Sequence, residues 1–247
     1  MLTQERYAKI IEILKESGTA TVTQLVERLG ISESTVRRDL ISLDKVGKLI
    51  KVHGGATAAT ADFITQEIDV PTKSLLCVEE KDRIARYAAQ QIDTDDFIFL
   101  DAGTTTERMI EYITEKKATF VTNGIVHAKK LIQKGIKAYI IGGKLKLSTE
   151  AVVGTVAVSS LKQYNFTKSF IGTNGVHPER GFTTPDAEEA LLKEEAVARS
   201  YMTYVLADHS KFGKISAVTF AGVEKACIIT DAPADKKYEK VTIVKEV

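Results

Sequence analysis

Tryptophan is absent from this 247-residue sequence, and cysteine (two), methionine (three), histidine (four) and proline (four) are scarce. Cys77 and Cys227 lie far apart with no metal-ligand spacing around them, which excludes a disulfide framework and a zinc knuckle. They read as small buried apolar side chains in a reducing cytoplasm. No apolar run approaches the roughly 20 residues that cross a bilayer. Glu5, Arg6 and Lys9 interrupt the first ten positions, so no signal-peptide core is read there and no membrane partner is expected. A large excess of one charge is missing too: the net charge is +1, so a nucleic-acid partner has to be sought in local charge. What is present, 44% apolar and 27% charged residues, suits one small and one larger globular domain.

The first fifty-odd residues carry three helical patterns. Tyr7, Ile10, Ile11 and Leu14 share one helix face, with Gly18 as its stop. Thr21 and Gln24 fit a capping box that opens a second helix, whose Leu25, Val26 and Leu29 face inward before Gly30. Ser32 is the natural N-cap of a third helix, Ile31 can staple onto Val36, and Val36, Leu40 and Leu43 form the inner stripe up to Gly47. Two helices about a tight glycine turn describe a helix-turn-helix. Residues 49–55 then read as a strand and a glycine turn, the wing of a winged helix. Between Val36 and His53 the cations Arg37, Arg38, Lys45, Lys48 and Lys51 outnumber the anions Asp39 and Asp44 by three. Arg37 and Arg38 suit base edges or phosphates, with the hydroxyls of Thr21, Ser32, Ser34 and Thr35 and the wing residues Lys51 and His53 as further DNA contacts. From pattern alone, a three-helix bundle with a solvated basic face stays open.

The larger remainder alternates apolar runs with helical patterns. The runs are 97–100, 119–121, 138–141, 169–171, 204–207, 226–229 and 241–244. Continuous apolar strands with helices between them predict a mainly parallel sheet covered on both faces. Ligands of such sheets bind beyond the carboxyl ends of the strands. Five successive runs end in Asp101, Thr122-Asn123, Gly142-Gly143, Thr173-Asn174 and Asp208. The segment Asp101-Ala-Gly-Thr-Thr-Thr106 offers hydroxyls and free N–H groups at a helix start, an anion cradle. Neither a Walker loop nor a dinucleotide fingerprint is present, so a simple phosphate ester is favoured over a nucleotide, and a Thr-rich helix cap is the plain alternative.

Ser34-Thr-Val-Arg-Arg-Asp-Leu40 followed by His53-Gly-Gly-Ala56 resembles the signature of the DeoR family of bacterial repressors. Glu80-Lys81, the Asp-Ala-Gly-Thr-Thr loop, Phe170-Ile-Gly-x-Asn-Gly175, Glu189-Ala190 and Asp208-His-Ser-Lys-Phe212 resemble its sensor domain. That domain is similar to ribose-5-phosphate isomerase, where a lysine and a Gly-Ser-Thr loop hold phosphate; Lys81 and Thr104, Thr105 and Thr106 fall at the matching positions. The strings Phe182-Thr-Thr-Pro-Asp186 and Asp208–Phe212 look most like fructose-operon repressors, whose effector is fructose 1-phosphate. Two departures stand out. Lys51 replaces a frequent arginine, and Ser74–Val78 lacks an arginine that the family often has.

The resemblance implies an α/β chain with a winged helix-turn-helix at 1–57, a linker at 58–74 and a sugar-phosphate sensor at 75–247. The expected partners are double-stranded operator DNA, a phosphorylated sugar and further copies of the chain, as a homodimer or homotetramer. Lys81 with the three threonines would hold phosphate. Asp101, Asn123, Asn174 and Glu189 would meet sugar hydroxyls, Lys211 would close the site, and Gly103, Thr122, Gly142, Gly143 and Gly175 complete the candidate set. No cofactor and no metal are expected, and His127, His177 and His209 read as structural or solvated. The competing class is an isomerase-like enzyme with an added head. Against it, Thr173-Asn-Gly175 stands where the isomerase carries acid–base aspartates, and none of these residues takes up a proton at neutral pH.

Overall fold

A computed structural model describes residues 2–45, 48–58, 63–64, 67–232 and 236–247, and the chain divides into two compact units, Met1–Phe63 and Ile64–Val247. The expected stop of the third helix, Gly47, lies outside the described residues.

In the first unit, α1 (Thr3–Ser17), α2 (Val22–Leu29) and α3 (Glu33–Lys45) pack on a small antiparallel sheet of β1 (Thr19–Thr21), β3 (Gly55–Ala58) and β2 (Leu49–Val52). Ile10, Leu14, Leu25, Leu29, Val36, Leu40 and Leu43 of the expected helical stripes are buried together with Leu49 of β2, while Tyr7, Ile11 and Val26 of those stripes are only partly buried. Thr21 accepts from the Gln24 N–H at 3.2 Å while the Gln24 side chain accepts from the Thr21 N–H at 2.8 Å, closing the capping box. Gly30 ends α2 in the left-handed region at φ 64°. The strand at 19–21 has no sequence signal of its own; it exists because Gly55 lets the chains approach until a Cβ there would lie 2.3 Å from the Ala20 carbonyl.

In the second unit the strands are β4 (Phe63–Ile64, at the boundary), β5 (Phe97–Leu100), β6 (Thr119–Thr122), β7 (Lys137–Ile140), β8 (Lys144–Lys146), β9 (Ala151–Val153), β10 (Phe166–Gly172), β11 (Gly175–His177), β12 (Gly181–Thr184), β13 (Ser200–Leu206), β14 (Ile215–Ser216), β15 (Val218–Ala221), β16 (Cys227–Thr230) and β17 (Val244–Glu246). The helices are α4 (Val70–Leu75), α5 (Val78–Ala89), α6 (Thr104–Tyr112), α7 (Ile125–Gln133), α8 (Thr155–Leu161), α9 (Ala187–Ala198) and α10 (Lys236–Glu239). Six of the apolar runs coincide with strands of a single parallel sheet in the order β17-β16-β13-β10-β5-β6-β7. The seventh is displaced: strand β17 starts at Val244, where the run 241–244 ends.

Side chains alternate across this sheet. Ile98, Leu100, Phe120, Phe170 and Leu206 pack on α5, α6 and α7, whereas Phe99, Val121, Ile171 and Val205 pack on α8 and α9. The antiparallel additions β8-β9 and β11-β12-β15 have no counterpart in the sequence reading. Their strands are three or four residues long, too short for a period to register.

The order of strands decides where a ligand can go. The chain starts at β5, runs outward through β6 to β7, returns to β10 on the other side of β5, and then runs outward to β17. The reversal makes β5 and β10 neighbours whose outgoing loops diverge, the crevice in which α/β sheets take ligands.

The segment expected as a plain linker differs from that expectation. Pro71 begins α4 rather than ending a connector, because Asp69 caps the helix by accepting from the Thr72 N–H at 2.9 Å and proline fits the first turn. Cys77 and Cys227 are half-buried, not buried, and both are free thiols. Among the described residues no helix is long and apolar enough to cross a membrane.

Candidate functional site

Strand β5 delivers Asp101 to the β5–β10 crevice, and the chain turns through Ala102 and Gly103 into α6. The turn is locked from inside. The Asn123 side chain accepts from the Ala102 N–H at 2.9 Å. The Thr106 hydroxyl accepts from the Gly103 N–H at 2.9 Å and donates to the Asp101 carbonyl at 2.6 Å. His127 Nε2 lies 3.0 Å from the Gly103 carbonyl, and burial of its ring holds its pKa below the ordinary histidine value, so it serves as a neutral donor. The N–H groups of Thr104, Thr105 and Thr106 are left as the first turn of α6, without intrahelical partners.

The cleft in front of that helix start has a volume of about 80 Å³ and opens to solvent. Lys81, Asp101, Gly103, Thr104, Thr105, Asn123, Asn174, Glu189 and Lys211 line it together, from the expected set. It also gathers residues that sequence reasoning missed: Glu67, Lys73, Thr149 and Lys193, with Asp208 known only as a strand end. Four lysines (73, 81, 193, 211) thus face four carboxylates (67, 101, 189, 208), and an incoming dianion would tip that balance. Lys81 is 4% exposed and burial pulls its pKa down, against the pull of Asp208 upward. Its ammonium donates to the Lys73 carbonyl. Lys211 sits 3.7 Å from Asp208. Asp186, the N-cap of α9, accepts from the Glu189 N–H at 2.9 Å and so fixes the first turn that presents Glu189. Thr149 donates to Glu189 at 2.9 Å, and the Lys146 ammonium reaches Glu189 and Asp186 at 3.0 Å and also pairs with Glu67. Burial works against the Lys146 charge, but these three carboxylates outweigh it and hold its pKa above the usual lysine range.

Other expected residues stay out of the cleft for identifiable reasons. The Thr106 hydroxyl is consumed by the loop itself. That of Thr122 accepts from the Gly124 N–H at 3.1 Å. Gly143 closes against the β8-β9 hairpin, where a Cβ would lie 2.8 Å from Val152, and Gly142 beside it lines no part of the cleft. Gly175 permits a close approach, since its Cβ would lie 2.4 Å from the Lys214 carbonyl. Lys193 did leave a trace: it stands four residues after Glu189, on the same face of α9. Histidine spacing, in contrast, did not foretell that the fold gathers His209, Asp231 and Glu80, whose donor atoms lie within 4.8 Å of one another, with His209 Nδ1 2.8 Å from Asp231.

In the first unit, Thr21, Ser32, Ser34, Arg37, Arg38, Lys51 and His53 are exposed and Thr35 is half-buried. The Ser32 hydroxyl is 2.8 Å from that of Thr35 and 3.1 Å from that of Ser34 at the start of α3. Arg37 is tied to Glu33 one turn earlier at 2.6 Å. Arg38 makes no ion pair among the described residues. Asp39 points inward and binds Arg6 at 2.6 and 2.9 Å, so the negative charge inside the Arg-Arg-Asp string is neutralised within the unit. The outer face of α3 is left cationic.

Comparison with known proteins bears on both units. The DeoR-like helix-turn-helix domain matches residues 6–62 and the DeoR C terminal sensor domain residues 76–232. The chain is 44% identical over 251 residues to the uncharacterized HTH-type transcriptional regulator FruR of Bacillus subtilis (strain 168), covering 100% of this chain and 99% of that one. It is 34% identical over 247 residues to the lactose phosphotransferase system repressor of Staphylococcus aureus (strain N315), covering 98% of each. Among solved structures, ribose 5-phosphate isomerase A of Methanocaldococcus jannaschii is similar at 14% identity and a TM-score of 0.40 over 53% of each chain. With a helix-turn-helix unit, a sensor unit and relatives of matching length, the chain belongs to the DeoR family of transcriptional regulators.

Proposed function

We propose that the chain represses a sugar-utilisation operon in the cytoplasm and leaves its operator when a phosphorylated sugar, fructose 1-phosphate first among candidates, fills the cleft. The domains in this reading are the head at 1–57, a connector at 58–74 and the sensor at 75–247. The observation that carries it is the open first turn of α6 facing a cleft that also holds Lys81 and Lys211. Backbone N–H groups at a helix start and lysine ammoniums are the groups that bind a phosphoryl dianion. Thr104, Thr105 and Gly103 cradle the phosphate, while Asn174 and Glu189 select the hydroxyl pattern. Asp101 and Asn123 support the cradle from behind, through the Ala102 N–H and the Gly172 N–H.

The head uses Arg37, Arg38, Ser34 and Thr35 on the operator, with Thr21, Ser32, Lys51 and His53 at its margins. One small head gives limited specificity, so the active species is a homodimer or homotetramer reading two half-sites. The cleft is a sensor and not a catalytic site, because Thr173, Asn174 and Gly175 offer no proton acceptor at the β10 end.

Calorimetry of the full chain with fructose 1-phosphate, fructose 6-phosphate, ribose 5-phosphate and free fructose, paired with operator gel shifts, tests this. Binding of one phosphate ester but not of fructose, with loss of the operator complex at the same concentration, is the expected result. Absence of binding by any ester, or ketose–aldose turnover above background, overturns it.

A further inference from the structure

Helix α4 buries none of its residues; Leu75, its last, is 80% exposed and Leu76 just behind it 46%. Hydrophobic contact therefore does little to hold the segment 67–76 on the sensor unit. Its attachments to the rest of the second unit are polar. Lys81 donates its ammonium to the Lys73 carbonyl. Glu67 pairs with Lys146, which is shared with Glu189 and Asp186, and with Lys73 at 3.1 Å. The Val70 N–H donates to the Ser148 carbonyl at 3.3 Å, and Arg108 of α6 reaches the Ser74 carbonyl at a long 3.5 Å. On the far side a groove lined by Val70, Pro71 and Leu147 stays open.

We propose that segment 67–76 is a strap that the effector unfastens: phosphate takes from the Lys73 carbonyl the Lys81 ammonium that fastens the segment in the free protein. The inference rests on the sugar-phosphate reading of the cleft and adds its regulation. A lysine facing a phosphoryl dianion gains a charge-assisted bond stronger than the one it gives a neutral carbonyl. A ligand can shift the strap only by such differential contacts, and here one lysine, Lys81, lines the cleft and holds the strap. Glu67 is the fourth residue of the second compact unit, Ile64–Val247, so the event is written where the chain passes into that unit.

Hydrogen exchange on the full chain separates this idea from the one it rests on. With saturating fructose 1-phosphate, the amides of 103–107 report occupancy and those of 70–76 report the strap. Slower exchange at 103–107 with about tenfold faster exchange at 70–76, the loss of one charge-assisted hydrogen bond, is expected. Protection at 103–107 with unchanged or slower exchange at 70–76 overturns the strap and leaves the cleft reading intact. No protection at 103–107 by any sugar phosphate overturns both. Without ligand, Glu67→Gln and, separately, Lys146→Met should speed exchange at 70–76 by about tenfold while 103–107 keep the wild-type rate. Wild-type exchange at 70–76 in both variants also overturns the strap.

Discussion

Lys193 of α9 sets its ammonium against the carboxylate of Asp101 at the end of β5, and donates to the Gly172 carbonyl at the end of β10 at 3.0 Å. Asp101 also accepts from the Gly172 N–H at 3.0 Å. The pair therefore pins the two strands at the point where their loops part. Both side chains are at least nine-tenths buried. Removing one partner strands the other charge, a loss of about 3–5 kcal/mol. Lys193→Met should lower sensor stability in urea by that amount, and adding Asp101→Asn should recover part of it. A single-variant loss below about 1 kcal/mol would show the pair to be dispensable.

Thr105 tests the cradle from a buried position that also lines the cleft. It stands in the first turn of α6, where a carboxylate is compatible with the helix dipole. Like charge in Thr105→Asp against the incoming phosphate costs several kcal/mol, about a hundredfold or more in affinity. Because Thr105 is buried, a thermal midpoint for the variant and a neutral Thr105→Asn control separate lost binding from lost stability. The expected phenotype is a repressor that stays on its operator at effector concentrations that release the wild type. Normal release in gel shifts would place the phosphate elsewhere.

Much of the chain was legible before folding, and the reasons differ by region. The three head helices announced themselves because their stripes and caps are local, as with Thr21 and Gln24. The parallel strands were readable because burial on both faces leaves unbroken apolar runs. The cleft was half legible. Thr104 and Thr105 lie in a stretch whose chemistry is contiguous, whereas Glu67 and Lys73 come from the segment 67–76, Thr149 from the loop before β9 and Lys193 from α9. Gly143 and Gly175 misled because a glycine beside a strand serves close packing as readily as ligand access, and Thr106 because a hydroxyl in a cradle can be spent on the cradle; Gly142 has open space around its Cα and lies outside the cleft lining.

Two histidines should give the chain opposite pH responses. His209 has its pKa raised, chiefly by its hydrogen bond to Asp231. Its contribution is complete below about pH 6.5, the unfolded value, and fades as pH rises through the higher folded value. The stability gap between wild type and His209→Gln should therefore shrink from pH 5.5 to 8.5, each read as a thermal midpoint at about those values.

His127 has its pKa lowered by burial, so the folded state resists its protonation. Its favourable contribution is present above about pH 6.5 and is lost as pH falls below that unfolded value. His127→Gln keeps a donor for the Gly103 carbonyl and should lack this acid-side decline. An identical slope in wild type and variant would mean that His127 is not the group responsible.

Arg37 and Arg38 should separate by mechanism. Arg38 has no ion-pair partner among the described residues, while Arg37 must leave Glu33 to reach DNA. If both reach phosphates, Arg38→Ala should reduce the slope of log affinity against log salt by about 0.9, and Glu33→Ala should tighten binding by freeing Arg37. If either instead grips a guanine edge, its alanine variant loses about 1–3 kcal/mol on the operator with little change on unrelated DNA. The double variant Arg37→Ala with Arg38→Ala should lose the operator and keep wild-type effector affinity, because the cleft is built entirely from the second unit. Loss of both activities would mean that the basic face of α3 maintains the fold and does not read DNA.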